Sequence, residues 1–179
     1  MIEPDAPAPV EIRALSAAEV DTRMAELADI LVDAVASGAS VNFLAGFDAI
    51  DAGQFWRGQL AGIADGSRIL IAAGAGARLV GTIVLTFAPQ PNAPHRAEIG
   101  KMLVHSSMRR RGLGRRLLAA VEATARAAGK TLLLLDTHTG SAGDKLYRGC
   151  GWTEIGIVPG HALTPAGLPA PTTFFYKQL

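Results

Sequence analysis

Residues 106–120, SSMRRRGLGRRLLAA, place five arginines and two glycines at the start of a predicted helix. The arginines are Arg109, Arg110, Arg111, Arg115 and Arg116, and the glycines are Gly112 and Gly114. The N-terminus of a helix offers free backbone N–H groups and a partial positive charge, which together bind phosphate. Glycine lets the backbone approach a ligand, and arginine adds two-pronged contacts to phosphate oxygens. The stretch therefore has the features of a pyrophosphate-binding loop. The alternatives are a solvated basic surface and a nucleic-acid-binding site.

The composition of the chain bears on those alternatives. Its 179 residues are 49% hydrophobic and 18% charged, and its formal net charge is +1. Such a chain is long and apolar enough for one globular domain with a sizeable core. A protein that wraps DNA or RNA over a long footprint usually has a larger basic excess, so we expect no nucleic-acid partner.

The cysteine count and the N-terminal segment bear on location. The single cysteine, Cys150, excludes an internal disulfide and suits a reducing compartment, so we expect a cytoplasmic protein. Residues 1–9 contain three prolines and neither a basic start nor an apolar run. We expect them to form a flexible lead-in, rather than a signal peptide or membrane anchor, before a single domain at residues 10–179.

The order of predicted elements defines the fold class. A strand at residues 10–15 precedes a helix that runs to about Ser37, and a second helix covers residues 49–64 with Ile50 and Phe55 among its buried positions. Two strands within residues 67–87 flank a break at 73–77 that is not a neat two-residue turn. A strand, a helix, a central strand, a short helix and two final strands follow. The middle strand–helix–strand unit implies a locally parallel pair, so we predict a mixed-sheet α/β domain.

The glycine pattern of the opening stretch departs from two common nucleotide motifs. It lacks the spacing of a P-loop, and Leu117 stands where a dinucleotide-binding pattern would have its third glycine. The pattern R-x-x-G-x-G remains, in Arg109, Gly112 and Gly114. A short predicted helix further along contains KLYRGCGW at residues 145–152.

These two motifs, with an apolar strand between them, resemble the GNAT superfamily of N-acetyltransferases. The resemblance covers residues 67–160, and within the superfamily this sequence most resembles the tabtoxin-resistance acetyltransferases. It implies a central, mostly antiparallel sheet that splays beside the cofactor, acetyl-CoA as that cofactor, and a small-molecule amine as substrate. It implies that the cofactor-binding residues are Met102, Leu103, Val104, Arg109, Arg110, Arg111, Gly112, Leu113, Gly114 and Arg115. It also implies that Tyr147 protonates the leaving thiolate.

The proton acceptor has several candidates. Strand alternation predicts that Glu98, Gly100 and Met102 share one face, which would place Glu98 on the substrate side of the cleft. Asp136 closes an apolar strand, where a carboxylate is costly unless it serves a site. His105 and His138 are rival bases.

Other features of the sequence keep alternatives open. Gly140 stands where many family members have an asparagine that contacts the cofactor, with Ser141 and Asp144 as the nearest polar replacements. A covalent route through Cys150 is the less favoured mechanism, and a non-catalytic acyl-CoA sensor is a rival function. No cluster has metal-ligand spacing, so no metal is expected. A homodimer is compatible with the sequence.

Overall fold

The structure, a computed structural model, describes residues 9–179. The predicted lead-in therefore lies, except for Pro9, outside the described residues. The strands are β1 (Val10–Leu15), β2 (Arg68–Ala75), β3 (Arg78–Phe87), β4 (Arg96–Val104), β5 (Leu132–His138), β6 (Thr153–Leu163) and β7 (Pro169–Gln178). The α-helices are α1 (Ala17–Thr22), α2 (Met24–Ala36), α3 (Ala49–Arg57), α4 (Leu60–Ala64), α5 (Leu113–Ala127) and α6 (Ala142–Gly149).

The strands form one seven-stranded sheet in the order β1-β2-β3-β4-β5-β7-β6. Every neighbouring pair is antiparallel except β4 and β5, which are parallel. The chain between the two parallel strands contains α5, because parallel neighbours need a long crossover connection, which is usually a helix. The predicted mixed α/β class and the mostly antiparallel sheet are therefore confirmed.

Two separate hydrophobic cores lie on the two sides of this sheet. On one side, which we call the α5 face, Leu117, Leu118 and Val121 of α5 pack on the sheet together with Tyr147 of α6. On the other side, which we call the α2 face, Leu27, Ile30 and Leu31 of α2 pack with Trp56 of α3. The helical spacing of apolar residues in α2 and α5 produces these buried stripes.

The structure corrects three local predictions, which concern Ile50, the break at residues 73–77 and the two long helices. Ile50 is 68% exposed, because the cap at Asp48 sets the phase of α3 so that Ala52 and Trp56 face α2 instead. The Trp56 Nε1–H donates to the Leu27 carbonyl at 2.9 Å and fixes that contact. The predicted break at residues 73–77 is a two-residue turn, since β2 continues to Ala75 and pairs there with Arg78. The two long predicted helices are each divided in two, at Arg23 and at residues 58–59.

No helix within residues 9–179 is long and apolar enough to cross a membrane.

Candidate active site

The parallel strands β4 and β5 separate soon after they meet. Their pairing is confined to residues 96–98 of β4 and 132–134 of β5. Beyond Glu98 and Leu134 the two strands no longer pair with each other, although each still pairs with its other neighbour. A cleft of about 770 Å³ opens between and beside them. Its walls include residues 37–42 behind α2 on one side and Leu146 and Tyr147 of α6 on the other. The cleft therefore connects the α2 face of the sheet with the α5 face.

A β-bulge at Lys101 reshapes the β4 wall of this cleft. Val84 of β3 pairs with Gly100, whereas Thr82 pairs with Leu103, so β4 contains one extra residue. Lys101 has a φ of +47°, and its carbonyl accepts a hydrogen bond from the Thr82 hydroxyl at 2.9 Å. The bulge inverts the alternation of side chains along the rest of β4.

The inversion contradicts one prediction about the site. Met102 packs in the core of the α5 face, while its neighbour Leu103 packs in the core of the α2 face. Ala97 and Ile99, before the bulge, also belong to the α5 face. Glu98 and Gly100 therefore share the α2 face, and Met102 lies on the opposite side. The prediction that these three residues share one face is wrong, because strand alternation holds only for a strand without a bulge.

The loop between β4 and α5 presents a row of free backbone donors. None of the N–H groups of residues 110–115 donates a hydrogen bond to residues 9–179. Gly112 caps α5 with a φ of +76°, and Arg110 has a φ of +61°. A methyl group on Gly114 would lie 3.0 Å from Leu146 Cδ2, so this glycine lets the start of α5 approach α6. Free N–H groups around a helix N-terminus form an anion-binding site.

The arginines of this loop fall into two groups. Three of them donate hydrogen bonds to backbone carbonyls: Arg109 to Val104 at 3.0 Å, Arg115 to Gly149 at 3.0 Å, and Arg116 to Val10 at 2.7 Å. Arg110 and Arg111 make no side-chain hydrogen bond or ion pair within residues 9–179. Arg110 lies on the cleft wall, and Arg111 does not.

Asp33 of α2 tethers the same loop to the helix layer. Its carboxylate accepts hydrogen bonds from the Ser106 backbone N–H at 2.9 Å, the Ser106 hydroxyl at 2.6 Å and Arg109 Nη2 at 3.0 Å. Burial raises the pKa of Asp33, but the Ser106 hydrogen bonds and the nearby positive charges outweigh it, so the net pKa is lowered. His105 Nε2 lies 3.6 Å from Asp29 and 3.8 Å from Asp33, which places it in this tether and away from the cleft wall.

Tyr147 lies on the cleft wall with its ring held by aromatic neighbours. The ring centroid is 5.9 Å from that of Trp152 and 6.0 Å from that of Phe175. Its hydroxyl makes no hydrogen bond within the described part of the chain. Burial, reinforced by the negative charge of Asp136, raises the pKa of Tyr147, so the phenol is protonated at neutral pH. A fixed ring with an unpaired, protonated hydroxyl can donate a proton to a ligand in the cleft.

The carboxylate candidates occupy neighbouring positions on the α2 face. Glu98 pairs with Leu134, and Asp136 lies two residues further along β5, so both acids point to the same side of the sheet. Asp136 lies on the cleft wall and is within electrostatic reach of Tyr147 and Lys101. Glu98 lies where the strands begin to separate and is not on the wall. His138 lies on the wall as well.

All the predicted site residues lie on the cleft wall except Glu98 and Arg111. Sequence reasoning missed Lys101 and residues 37–42, which also line it. The segment 37–42 has no residue pattern that would have indicated a wall. Lys101 was missed because a bulge leaves no mark in the pattern of residue types.

The region around Gly140 offers a replacement for the absent asparagine. Asp144 is committed elsewhere, since it accepts hydrogen bonds from the Gly140 N–H at 2.7 Å and from Arg148 Nε at 2.8 Å. Ser141 caps α6 and lies on the cleft wall. Cys150 lies beyond α6 against the core of the α5 face and is not on the wall. Within residues 9–179 no group of three or more histidines, cysteines or acids is arranged to hold a metal ion.

Parallel strands that separate beside a loop of free backbone N–H groups form an arrangement suited to an anionic ligand. A profile of the acetyltransferase (GNAT) family matches residues 41–152, which is more than half of the chain. The chain therefore belongs to the acetyltransferase (GNAT) family, and it is an N-acetyltransferase. Acetyl-CoA is the acetyl donor of that family.

Solved structures share the whole fold at low identity. The protein yncA from Salmonella typhimurium, solved with its cofactor acetyl-CoA, is 19% identical with a TM-score of 0.76, and the match covers 96% of this chain and 95% of that one. A proposed phosphinothricin N-acetyltransferase is 19% identical with a TM-score of 0.78, over 96% and 99%. A ribosomal-protein-alanine N-acetyltransferase from Brucella melitensis is 24% identical with a TM-score of 0.73, over 94% and 99%. These similarities concern the fold.

Proposed function

We propose that this protein transfers the acetyl group of acetyl-CoA to the amine of a small molecule by direct attack. The observation that carries the proposal is the cleft that joins the two faces of the sheet, with six free backbone N–H groups at one end of it. A donor and an acceptor can enter such a cleft from opposite faces and meet where β4 and β5 separate.

The donor side is the α5 face. The free N–H groups of residues 110–115 suit the pyrophosphate of acetyl-CoA, with the uncommitted guanidinium of Arg110 beside them. Met102, Leu103 and Val104 form the β4 edge that no neighbouring β5 residue covers, so their backbone is free to align the pantetheine arm. Ser141 stands on the same wall in place of the asparagine that many family members have.

The acceptor side is the α2 face. Asp136 takes a proton from the acceptor ammonium, directly or through water, and Glu98 is the second candidate for that role. The neutral nitrogen attacks the thioester carbonyl, a C–N bond forms and the C–S bond breaks. Tyr147, which is protonated at neutral pH, donates its proton to the departing sulfur.

A carboxylate at the acceptor side favours a small molecule with a cationic amino group. We propose an amino-acid-like compound or an antimetabolite as the acceptor, because the sequence resembles the tabtoxin-resistance acetyltransferases. A cytoplasmic location and a homodimer stay predictions.

The experiment is a continuous assay of coenzyme A thiol release with a panel of primary amines. Acetylation of at least one small amine, confirmed by the mass of the product, supports the proposal. Binding of acetyl-CoA with no turnover on any amine would favour the non-catalytic sensor. Turnover that is abolished in Cys150→Ala would favour the covalent route instead of direct attack.

A further inference from the structure

Lys101 is a half-buried cation on the acceptor side of the cleft. The bulge at its own position turns it onto the α2 face, where its ammonium lies 5.6 Å from the ring centroid of Phe43 and 5.1 Å from that of Phe55. Both distances are within the range of a cation–π contact. The two rings contact the ammonium, and Lys101 itself is one of the residues that line the cleft.

The ammonium of Lys101 has unused hydrogen-bonding capacity. An ammonium has three N–H donors, and within residues 9–179 none of those of Lys101 reaches an acceptor. No carboxylate lies within 4.0 Å of it in the same range. Burial lowers the pKa of Lys101, while the more distant Asp136 opposes the shift. A partly desolvated ammonium with no carboxylate in contact within residues 9–179 can bind an anion that a ligand brings.

The backbone at Lys101 is held in an uncommon conformation. A lysine with a φ of +47° is unfavourable relative to ordinary strand geometry, and such positions concentrate at functional sites. The buried Thr82 hydroxyl donates to the Lys101 carbonyl and maintains it. The fold thus places the side chain toward the α2 face although the local backbone preference opposes it.

We propose that Lys101 determines acceptor specificity by binding a carboxylate of the acceptor amine on the α2 face of the cleft. The inference rests on the proposed function, since it concerns the acceptor of that reaction. Asp136 and Lys101 then complement the two charges of a zwitterion: the carboxylate of Asp136 faces the acceptor's ammonium, and Lys101 faces its carboxylate.

The test compares amino acids with their own α-carboxamides as acceptors, in wild type and in Lys101→Met, Lys101→Arg and Lys130→Met. Lysine 130 is the matched control, because it also lies over an aromatic ring, that of Phe87 at 4.1 Å, but outside the cleft. Wild type is expected to prefer the carboxylate member of a pair. Lys101→Met should raise KM for that member about 10- to 100-fold and change KM for the carboxamide less than about two-fold. Lys101→Arg should keep part of the preference.

Two results would overturn the inference. One is a wild type that acetylates both members of each pair with equal kcat/KM. The other is a Lys101→Met variant that loses both members equally, which indicates a structural role. If no amine is acetylated, the proposed function fails, and calorimetric titration of the same pairs into the coenzyme A-saturated protein decides the inference. Binding of the carboxylate member that Lys101→Met abolishes would uphold it, and equal binding of both members, or none, would refute it.

Discussion

Burial between Trp152 and Phe175 raises the pKa of Tyr147, so its phenol stays protonated at neutral pH and above it. The proposed reaction requires its hydroxyl, whereas the packing of the core requires its ring. Tyr147→Phe keeps the ring, so we expect kcat to fall about 100-fold or more while the protein stays folded. Steady-state kinetics with any accepted amine checks this. The only other tyrosine, Tyr176, provides the control, and Tyr176→Phe should leave kcat unaltered. An equal loss of kcat in both variants would contradict a chemical role for Tyr147.

The two carboxylates of the α2 face are distinguished by their relation to the cleft. Asp136 is on its wall and influences the ionisation of both Tyr147 and Lys101, whereas Glu98 lies where the strands are still paired. We expect Asp136→Asn to lower kcat/KM at least about tenfold more than Glu98→Gln does. The measurement is kcat/KM against pH for the three proteins. A larger loss in Glu98→Gln would make Glu98 the proton acceptor.

At this scale the sequence alone indicated residue types better than the directions of their side chains. Tyr147 and Asp136 lie on the cleft wall, and their roles stay predictions. The relation of Glu98 to Met102 was wrong, because one extra residue in β4 inverts every side chain after it. A bulge depends on pairing with β3, which a single strand sequence does not contain.

The tether from α2 to the loop before α5 joins the two layers of the molecule at the cofactor end. Asp33→Asn removes the charge that accepts from Ser106 and Arg109, so we expect a loss of about 2 kcal/mol in the free energy of unfolding. Because the pKa of Asp33 is lowered in the folded state, its stabilisation is fully present above about pH 4 and is lost as the pH falls through the folded-state pKa. The difference between wild type and variant should shrink in the same direction.

Urea unfolding at a series of pH values measures this difference. Asp29→Asn is the control on the same helix: Asp29 pairs with Arg78, is 48% exposed and lies 3.6 Å from His105, but it accepts no hydrogen bond from Ser106 or Arg109. The variant at Asp33 should also weaken acetyl-CoA binding, because the loop it holds supplies the N–H donors. A pH-independent loss of stability, or none, would show that the tether is not electrostatic.

The elements themselves were largely predictable, because apolar periodicity and caps are local. The first strand spans the predicted residues 10–15, and helical structure ends at Ala36, next to the predicted end at about Ser37. The division of the arginines was not predictable. Arg109 and Arg116 contact Asp33 and Val10, which are far away in sequence and close only in the fold.

The outer edge of the sheet at β6 carries several exposed apolar side chains. Strand β6 is an edge strand, and Ile155, Ile157, Val158 and Leu163 along it are each more than 40% exposed. Long apolar edge strands are prone to pair with another chain. We expect light scattering to give a mass near twice 18.6 kDa and Ile157→Lys to give a monomer of unchanged melting temperature. A monomeric wild type at high concentration would contradict the expected homodimer.

In the whole molecule, the loop proposed to bind the cofactor lies on one face of the sheet and the proposed acceptor side of the cleft lies on the other. The sequence motifs indicated the first and not the second. The proposed acceptor side combines the segment after α2 with the bulge in β4, whose Lys101 lies beside Phe55 of α3, and these parts share no motif. Their proximity is a property of the folded chain alone.

The proposed function depends most directly on acetyl-CoA binding at residues 110–115. The measurement is thermal unfolding with and without acetyl-CoA, with ATP and a short RNA as controls. At 100 times its dissociation constant, acetyl-CoA should add about 2.7 kcal/mol to the free energy of unfolding, and Arg110→Ala should reduce that gain without changing the unliganded protein. No shift with acetyl-CoA, together with a salt-sensitive shift with RNA, would mean that the loop binds nucleic acid and that the proposed function is wrong.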